Sequence, residues 1–195
     1  MLATIGTYRQ FARVAHLESV YCILQKFSSV MPHLRLAFEP VPWESRRNTL
    51  ANLLPPDQWN AIRRSAYRRA GYGCEACGRS DRLHCHEVWH FNHSTGCQCL
   101  AGLQALCPLC HDTKHITFTH DEYRVRELLE HFAAVNRLTP EEAGACLEDA
   151  RNLQRALDSR QWRVSFGDYN MRVPAVRDVE ARRKYAASYH PRYRV

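Results

Sequence analysis

Cys74-Glu75-Ala76-Cys77, then Leu83-His84-Cys85-His86-Glu87-Val88-Trp89, then Leu106-Cys107-Pro108-Leu109-Cys110-His111-Asp112-Thr113-Lys114-His115: these three stretches decide how the chain is read. Zinc takes four soft or borderline ligands at tetrahedral corners. Two Cys-x-x-Cys turns arriving from separate parts of a chain supply all four. Cys74, Cys77, Cys107 and Cys110 therefore read as a closed, structural zinc site. Such a site would pin the turn before a first strand to the start of a helix, replacing core that a small module lacks.

His111 and His115 stand four apart on the helix that Cys110 opens, so their rings share one face and can grip one ion. His86, on a strand that the zinc would hold nearby, can supply either a third ligand or a base. Metal-assisted phosphodiester hydrolysis needs both functions: a cation to neutralise charge growing on the phosphate, and a group of near-neutral pKa to activate water. In a second register His86 is the ligand and Glu87 the base. His84 shares the strand face of His86, although a surface histidine is the commoner outcome at such a position. His90, His93, Cys97 and Cys99 read as a polar loop between two strands, expected around Leu83–Trp89 and Leu100–Leu106.

Over about residues 71–116 this pattern resembles the HNH (ββα-metal, His-Me finger) endonucleases. A wider similarity, from about Val41 to Phe166, is to bacterial HNH endonucleases with a four-cysteine zinc knuckle. The resemblance implies that His86 is the general base, that His111 and His115 are metal ligands, and that Lys114 touches phosphate. It puts Cys85 where these enzymes usually carry an Asp or His ligand, and Gly102 where they carry the Asn that braces the base. It implies structural zinc plus one divalent catalytic metal (Mg, Mn, Ni or Zn), DNA as the substrate, and a second copy of the chain as partner where both strands are cut. A thiolate at Cys85 would favour a transition metal over magnesium. The competing expectation is a non-catalytic zinc-binding adaptor that lost hydrolysis with the Asn.

The expected fold class is α+β: a small ββα-metal zinc-knuckle module over 56–118, flanked by an N-terminal extension (1–55) and a C-terminal helical pair with a short strand (119–166). A basic aromatic tail follows (167–195). In the extension, Leu17, Val20, Tyr21, Leu24 and Phe27 recur at helical spacing, and Leu34, Leu36 and Phe38 alternate like a strand, with no chemistry visible. Pro55 and Pro56 lead into a helix that Asp57 is expected to cap and Gly71 and Gly73 to stop. Thr139-Pro140-Glu141-Glu142 is a capping box ahead of a stripe of Ala143, Cys146, Leu147, Ala150, Leu153 and Leu157.

A length of 195 residues suits one compact unit with extensions, and 45% hydrophobic against 24% charged residues excludes wholesale disorder. The formal net charge of +7 is uneven: residues 172–195 hold seven Arg or Lys against Asp178 and Glu180. A basic surface suits a polyanion, since each cation set on a phosphate releases counterions. The candidate nucleic-acid contacts are Arg63, Arg64, Arg68 and Arg69 on the helix before the knuckle, Lys114, and Arg182, Arg183 and Lys184 in the tail. No apolar run reaches the length of a membrane span, and Arg9, Arg13, His16 and Glu18 interrupt the start, so a cytoplasmic location is expected, where thiols are kept for metal.

Overall fold

The computed structural model describes residues 34–169. The helical spacing at Leu17–Phe27 and the basic tail with Arg182, Arg183 and Lys184 lie outside the described residues.

Strands β1 (His84–Asn92) and β2 (Cys97–Leu106) form an antiparallel hairpin. Gly96, at φ +62°, supplies the left-handed conformation that the turn needs. Both strands run further than expected. His90, Cys97 and Cys99 belong to the ladder, with His90 opposite Cys99 and Asn92 opposite Cys97. Cys97 and Cys99, expected as loop residues, are joined as a disulfide. The register shifts between Val88, paired with Gly102, and Trp89, paired with Leu100, so one residue is passed over at Ala101. A short β3 (Arg163–Ser165) lies parallel to the start of β2, completing the sheet order β1-β2-β3 and leaving β1 at an edge.

Five α-helices occur among the described residues. α1 (Leu50–Leu53) is capped by Thr49, whose side chain accepts from the Asn52 N–H. α2 (Pro56–Arg69) begins after Pro55, and Asp57, expected as its cap, lies within the first turn instead. The helix opens at Pro56, so the N-cap position falls to Pro55, which has no side chain to accept a bond, and Asp57 stands too far in to cap. The helix ends as the glycine suggested. Tyr72 N–H donates to Tyr67 O at 2.9 Å and Gly71 N–H to Arg68 O at 3.0 Å, with Gly71 at φ +58°. α3 (Pro108–Lys114) follows β2 directly, and α4 (Glu122–Asn136) and α5 (Pro140–Asp158) form the C-terminal pair. At α5 the capping box forms, with Thr139 and Glu142 each bonding the other's backbone.

Strand side chains alternate between faces, and each face of the hairpin covers its own core. Leu106, Ile116, Leu128, Phe132, Leu36 and Phe38 pack on one side, where Phe38 stacks on Phe132 at 4.0 Å. On the other, Leu50, Leu53, Leu54, Ile62 and Phe166 pack with Trp89 and Leu103. The alternating Leu34-Leu36-Phe38 segment bends at Arg35 and Leu36 and joins no sheet. Its backbone is held by Asn136, which accepts from Leu36 N–H at 3.1 Å and donates to Leu36 O at 2.7 Å, and by a bond from Glu39 N–H to Lys114 O at 2.8 Å. Residues 36–54, assigned to an extension, therefore pack into both cores. No helix among the described residues is long and apolar enough to cross a membrane.

Candidate metal centre

The sulfurs of Cys74, Cys77, Cys107 and Cys110 all lie within 4.8 Å of one another. Three devices bring them there. Gly78, at φ +78°, closes the first turn with a bond from its N–H to Cys74 O at 2.8 Å. Glu75 zips that turn to β2, donating its N–H to Ala105 O at 2.9 Å and accepting the Ala105 N–H on its carboxylate. Cys107 stands at the N-cap position of α3 with its side chain free of any cap bond, and Cys110 sits buried in the first turn. The thiols respond to this crowding. A hydrogen bond from Cys110 pulls Cys74 down to about 4; that same bond, and then burial, drives Cys110 up, and burial raises Cys107. One thiolate forms readily and resists the next, so four together call for a cation, and the residues fit zinc.

The second group is His86, His111 and His115, whose ligand atoms also lie within 4.8 Å of one another. His86 comes from β1, His111 from α3 and His115 from the C-cap position that ends α3. Ring centroids are 4.9 Å apart for His86 and His115, 5.0 Å for His111 and His115, and 5.4 Å for His86 and His111. Burial first, and then the neighbouring His86, hold His111 down to about 4 and His115 to about 3. Both are therefore neutral at pH 7, the form that donates a lone pair to a metal. His84 stands beside them with its ring 5.0 Å from that of His111, at the rim of the group rather than within it.

No family model matches the chain, and comparison with curated proteins and with solved structures finds no match. The site is therefore read from its own residues.

Two sequence expectations are corrected by the period of the strand. Cys85 and Glu87 alternate with His84 and His86, and although both line the same cleft, neither belongs to the histidine group. Cys85 is not in the ligand group: burial and then Glu87 raise its thiol to about 12, with Arg69 and Arg63 pulling the other way. Glu87 is buried under α1, where its Oε1 accepts the Leu50 N–H at 2.7 Å and burial raises its carboxyl to about 8. It anchors that helix and makes no pair with His86.

Sequence reasoning missed Glu39. Its Oε2 lies 2.8 Å from His86 Nε2 and 3.4 Å from Lys114 Nζ, and its Oε1 accepts the Trp89 N–H at 2.7 Å. Burial pushes its carboxyl up, but the bond from His86, the pull of His86 and Lys114, and the Trp89 N–H outweigh it, leaving the pKa below the ordinary value. The one available signal was a lone acid in the apolar run Leu36-Ala37-Phe38-Glu39-Pro40-Val41. Lys114, expected on phosphate, is 7% exposed and tied to Glu39. A buried, paired ammonium presents nothing to a surface polyanion.

A cleft of about 350 Å³ opens on the three histidines, lined also by Arg46, Arg47 and Phe118. Arg46 stacks over the Trp43 ring at 3.1 Å, and Arg47 is exposed. On α2, Arg64, Arg68 and Arg69 are exposed, Arg69 bonding the Leu103 carbonyl, while Arg63 is half-buried and bonds Asn60 at 2.8 Å. Arg64 and Arg68, one helical turn apart, carry the charge that α2 offers to solvent.

Proposed function

We propose that this chain is a metal-dependent endonuclease of the HNH type, hydrolysing phosphodiester bonds in DNA. The observation that carries the reading is the convergence of His86, His111 and His115 within 4.8 Å, at the floor of a cleft that arginines also line. A purely structural zinc module has no use for three neutral imidazoles gathered beside its knuckle. Of the two roles open to His86, its position in the group favours third ligand.

A divalent cation bound there would neutralise charge growing on a scissile phosphate and lower the pKa of water enough for attack at neutral pH. His111 would hold it from α3, His115 from the end of that helix and His86 from β1. The four cysteines would fix those two elements to each other, as a tetrahedral zinc does. Arg47, exposed at the cleft wall, would attract the phosphate and orient it. Arg64 and Arg68 would grip the backbone further along, without reading bases.

The test is plasmid nicking by zinc-loaded protein supplied with Mg, Mn, Ni or Zn. Wild type should nick, and His111→Ala should fall by at least about 100-fold with its knuckle zinc and DNA retention intact, a loss of a few kcal/mol in transition-state stabilisation. Absence of cutting with every metal and every nucleic acid would reject the enzyme reading in favour of the zinc-binding adaptor.

A further inference from the structure

Glu39 reaches His86 from 47 residues away, and every polar atom of its carboxylate is engaged. Oε1 takes the Trp89 N–H at 2.7 Å, and Oε2 takes His86 Nε2 at 2.8 Å with Lys114 Nζ at 3.4 Å. Its own N–H is fixed to Lys114 O at 2.8 Å. A carboxylate so placed is an acceptor, so the imidazole nitrogen facing it must carry the hydrogen. A nitrogen that donates N–H to oxygen cannot give a lone pair to a cation. One ring nitrogen of His86 remains for the centre it shares with His111 and His115.

We infer that Glu39 is the positioning residue of the histidine centre, holding His86 as the Nε2–H tautomer so that Nδ1 keeps the lone pair that completes the three-nitrogen set. This inference rests on the histidines binding a cation, as in the function proposed above, but not on that cation cutting DNA. Carboxylate support of a ligating imidazole fixes its ring orientation and tautomer, raises its basicity, and is worth about 10- to 100-fold in metal affinity. In Glu39 the device comes from a segment outside the hairpin and α3. It sits behind His86, at a different place from Gly102, whose Cβ position is open with nothing within 4 Å.

Glu39→Gln separates this role from packing, because the amide keeps the size of the side chain. Glutamine can still accept the Trp89 N–H through its oxygen, and its NH2 then faces His86 Nε2. Nε2 must become the acceptor, and the proton moves to Nδ1, the wrong nitrogen for the centre. The measurement uses full-length protein with zinc in the knuckle, titrated with Co(II) and followed by the visible bands of the histidine-bound ion. Nitrogen-detected NMR on the same zinc-loaded protein, without cobalt, reports the His86 tautomer. Wild type should show Nε2–H. Glu39→Gln should bind Co(II) about 10- to 100-fold more weakly with knuckle zinc unchanged. His86→Ala should weaken it at least as much.

Because Gln leaves Lys114 without its partner, the double change Glu39→Gln, Lys114→Met removes that imbalance and should show the same loss of cobalt affinity. A wild-type Nδ1–H signal overturns the inference without need of any variant. So does unchanged cobalt affinity in Glu39→Gln beside a loss in His86→Ala. Cobalt binding that behaves as described in protein that never nicks DNA would sink the nuclease reading and leave the role of Glu39 standing.

Discussion

The Nε2 atom of His131, in the middle of α4, lies 3.1 Å from Sγ of Cys110. An imidazole N–H donated to a zinc thiolate drains charge from sulfur and fixes the ligand, the kind of support whose loss costs about 10-fold or more in metal affinity. His131→Ala should therefore release knuckle zinc to a competing chelator about 10-fold more readily than wild type. His120→Ala, a control at an exposed histidine with no bond to the knuckle, should not. Equal zinc loss from both variants and wild type would mean that the bond from His131 does not act on the metal.

Removal of zinc should do more than empty a site. Cys74, Ala76, Cys107 and Cys110 are themselves members of the core that contains Phe38, Leu128 and Phe132. Crowded thiolates without a cation repel, so that corner must loosen when the ion leaves. Chelation, or Cys77→Ser, is expected to broaden and lower the thermal transition and to increase binding of a hydrophobic dye. A melting curve unchanged by chelator, with zinc loss verified by elemental analysis, would contradict a structural role for the four cysteines.

Asn136 clamps the Leu34-Leu36-Phe38 segment, accepting the Leu36 N–H at 3.1 Å and donating to its carbonyl at 2.7 Å. Leu36 is fully buried, so water cannot replace those bonds. Asn136→Ala should cost about 2–3 kcal/mol in urea unfolding, the desolvation cost of orphaned buried groups. The m-value should stay the same, since the surface exposed on unfolding is unchanged. A cost under about 0.5 kcal/mol would place the clamp among interactions that merely accompany packing.

What the sequence made legible was local in origin. The Cys-x-x-Cys spacing, the i, i+4 histidines, the Gly71 stop and the Thr139–Glu142 box each depend on residues within a few positions of one another, and each formed. The displacement of Cys85 was legible too, because a strand residue adjacent to His86 must point to the opposite face. What stayed hidden depends on long-range packing. Glu39 meets His86 across 47 residues and Lys114 across 75, and residue identity carries no address over such distances. The hairpin was read short for a different reason: Cys97, Cys99 and His90 carry little strand preference of their own, yet the ladder continues through them because each has a partner opposite.

Lys114 and the α2 arginines test which cations face solvent. The resemblance put Lys114 with the phosphate-binding cations; in the structure it is buried against Glu39, whereas Arg64 and Arg68 stand exposed one turn apart. Removing Lys114 takes one partner from the Glu39 carboxylate, which keeps its bonds from His86 and Trp89, at a cost of about 1.5–3 kcal/mol. On the function proposed above, Lys114→Met should therefore lower stability while leaving the salt dependence of DNA retention unchanged, if the protein is assayed below its new melting temperature. Arg64→Glu with Arg68→Glu should do the reverse. Stability should hold within about 0.5 kcal/mol, while the slope of log affinity against log salt should shrink by about 0.9 for each phosphate no longer neutralised, near 2 for the pair. If Lys114→Met flattens the salt slope and the arginine reversals do not, then the DNA contact proposed above does not run along α2.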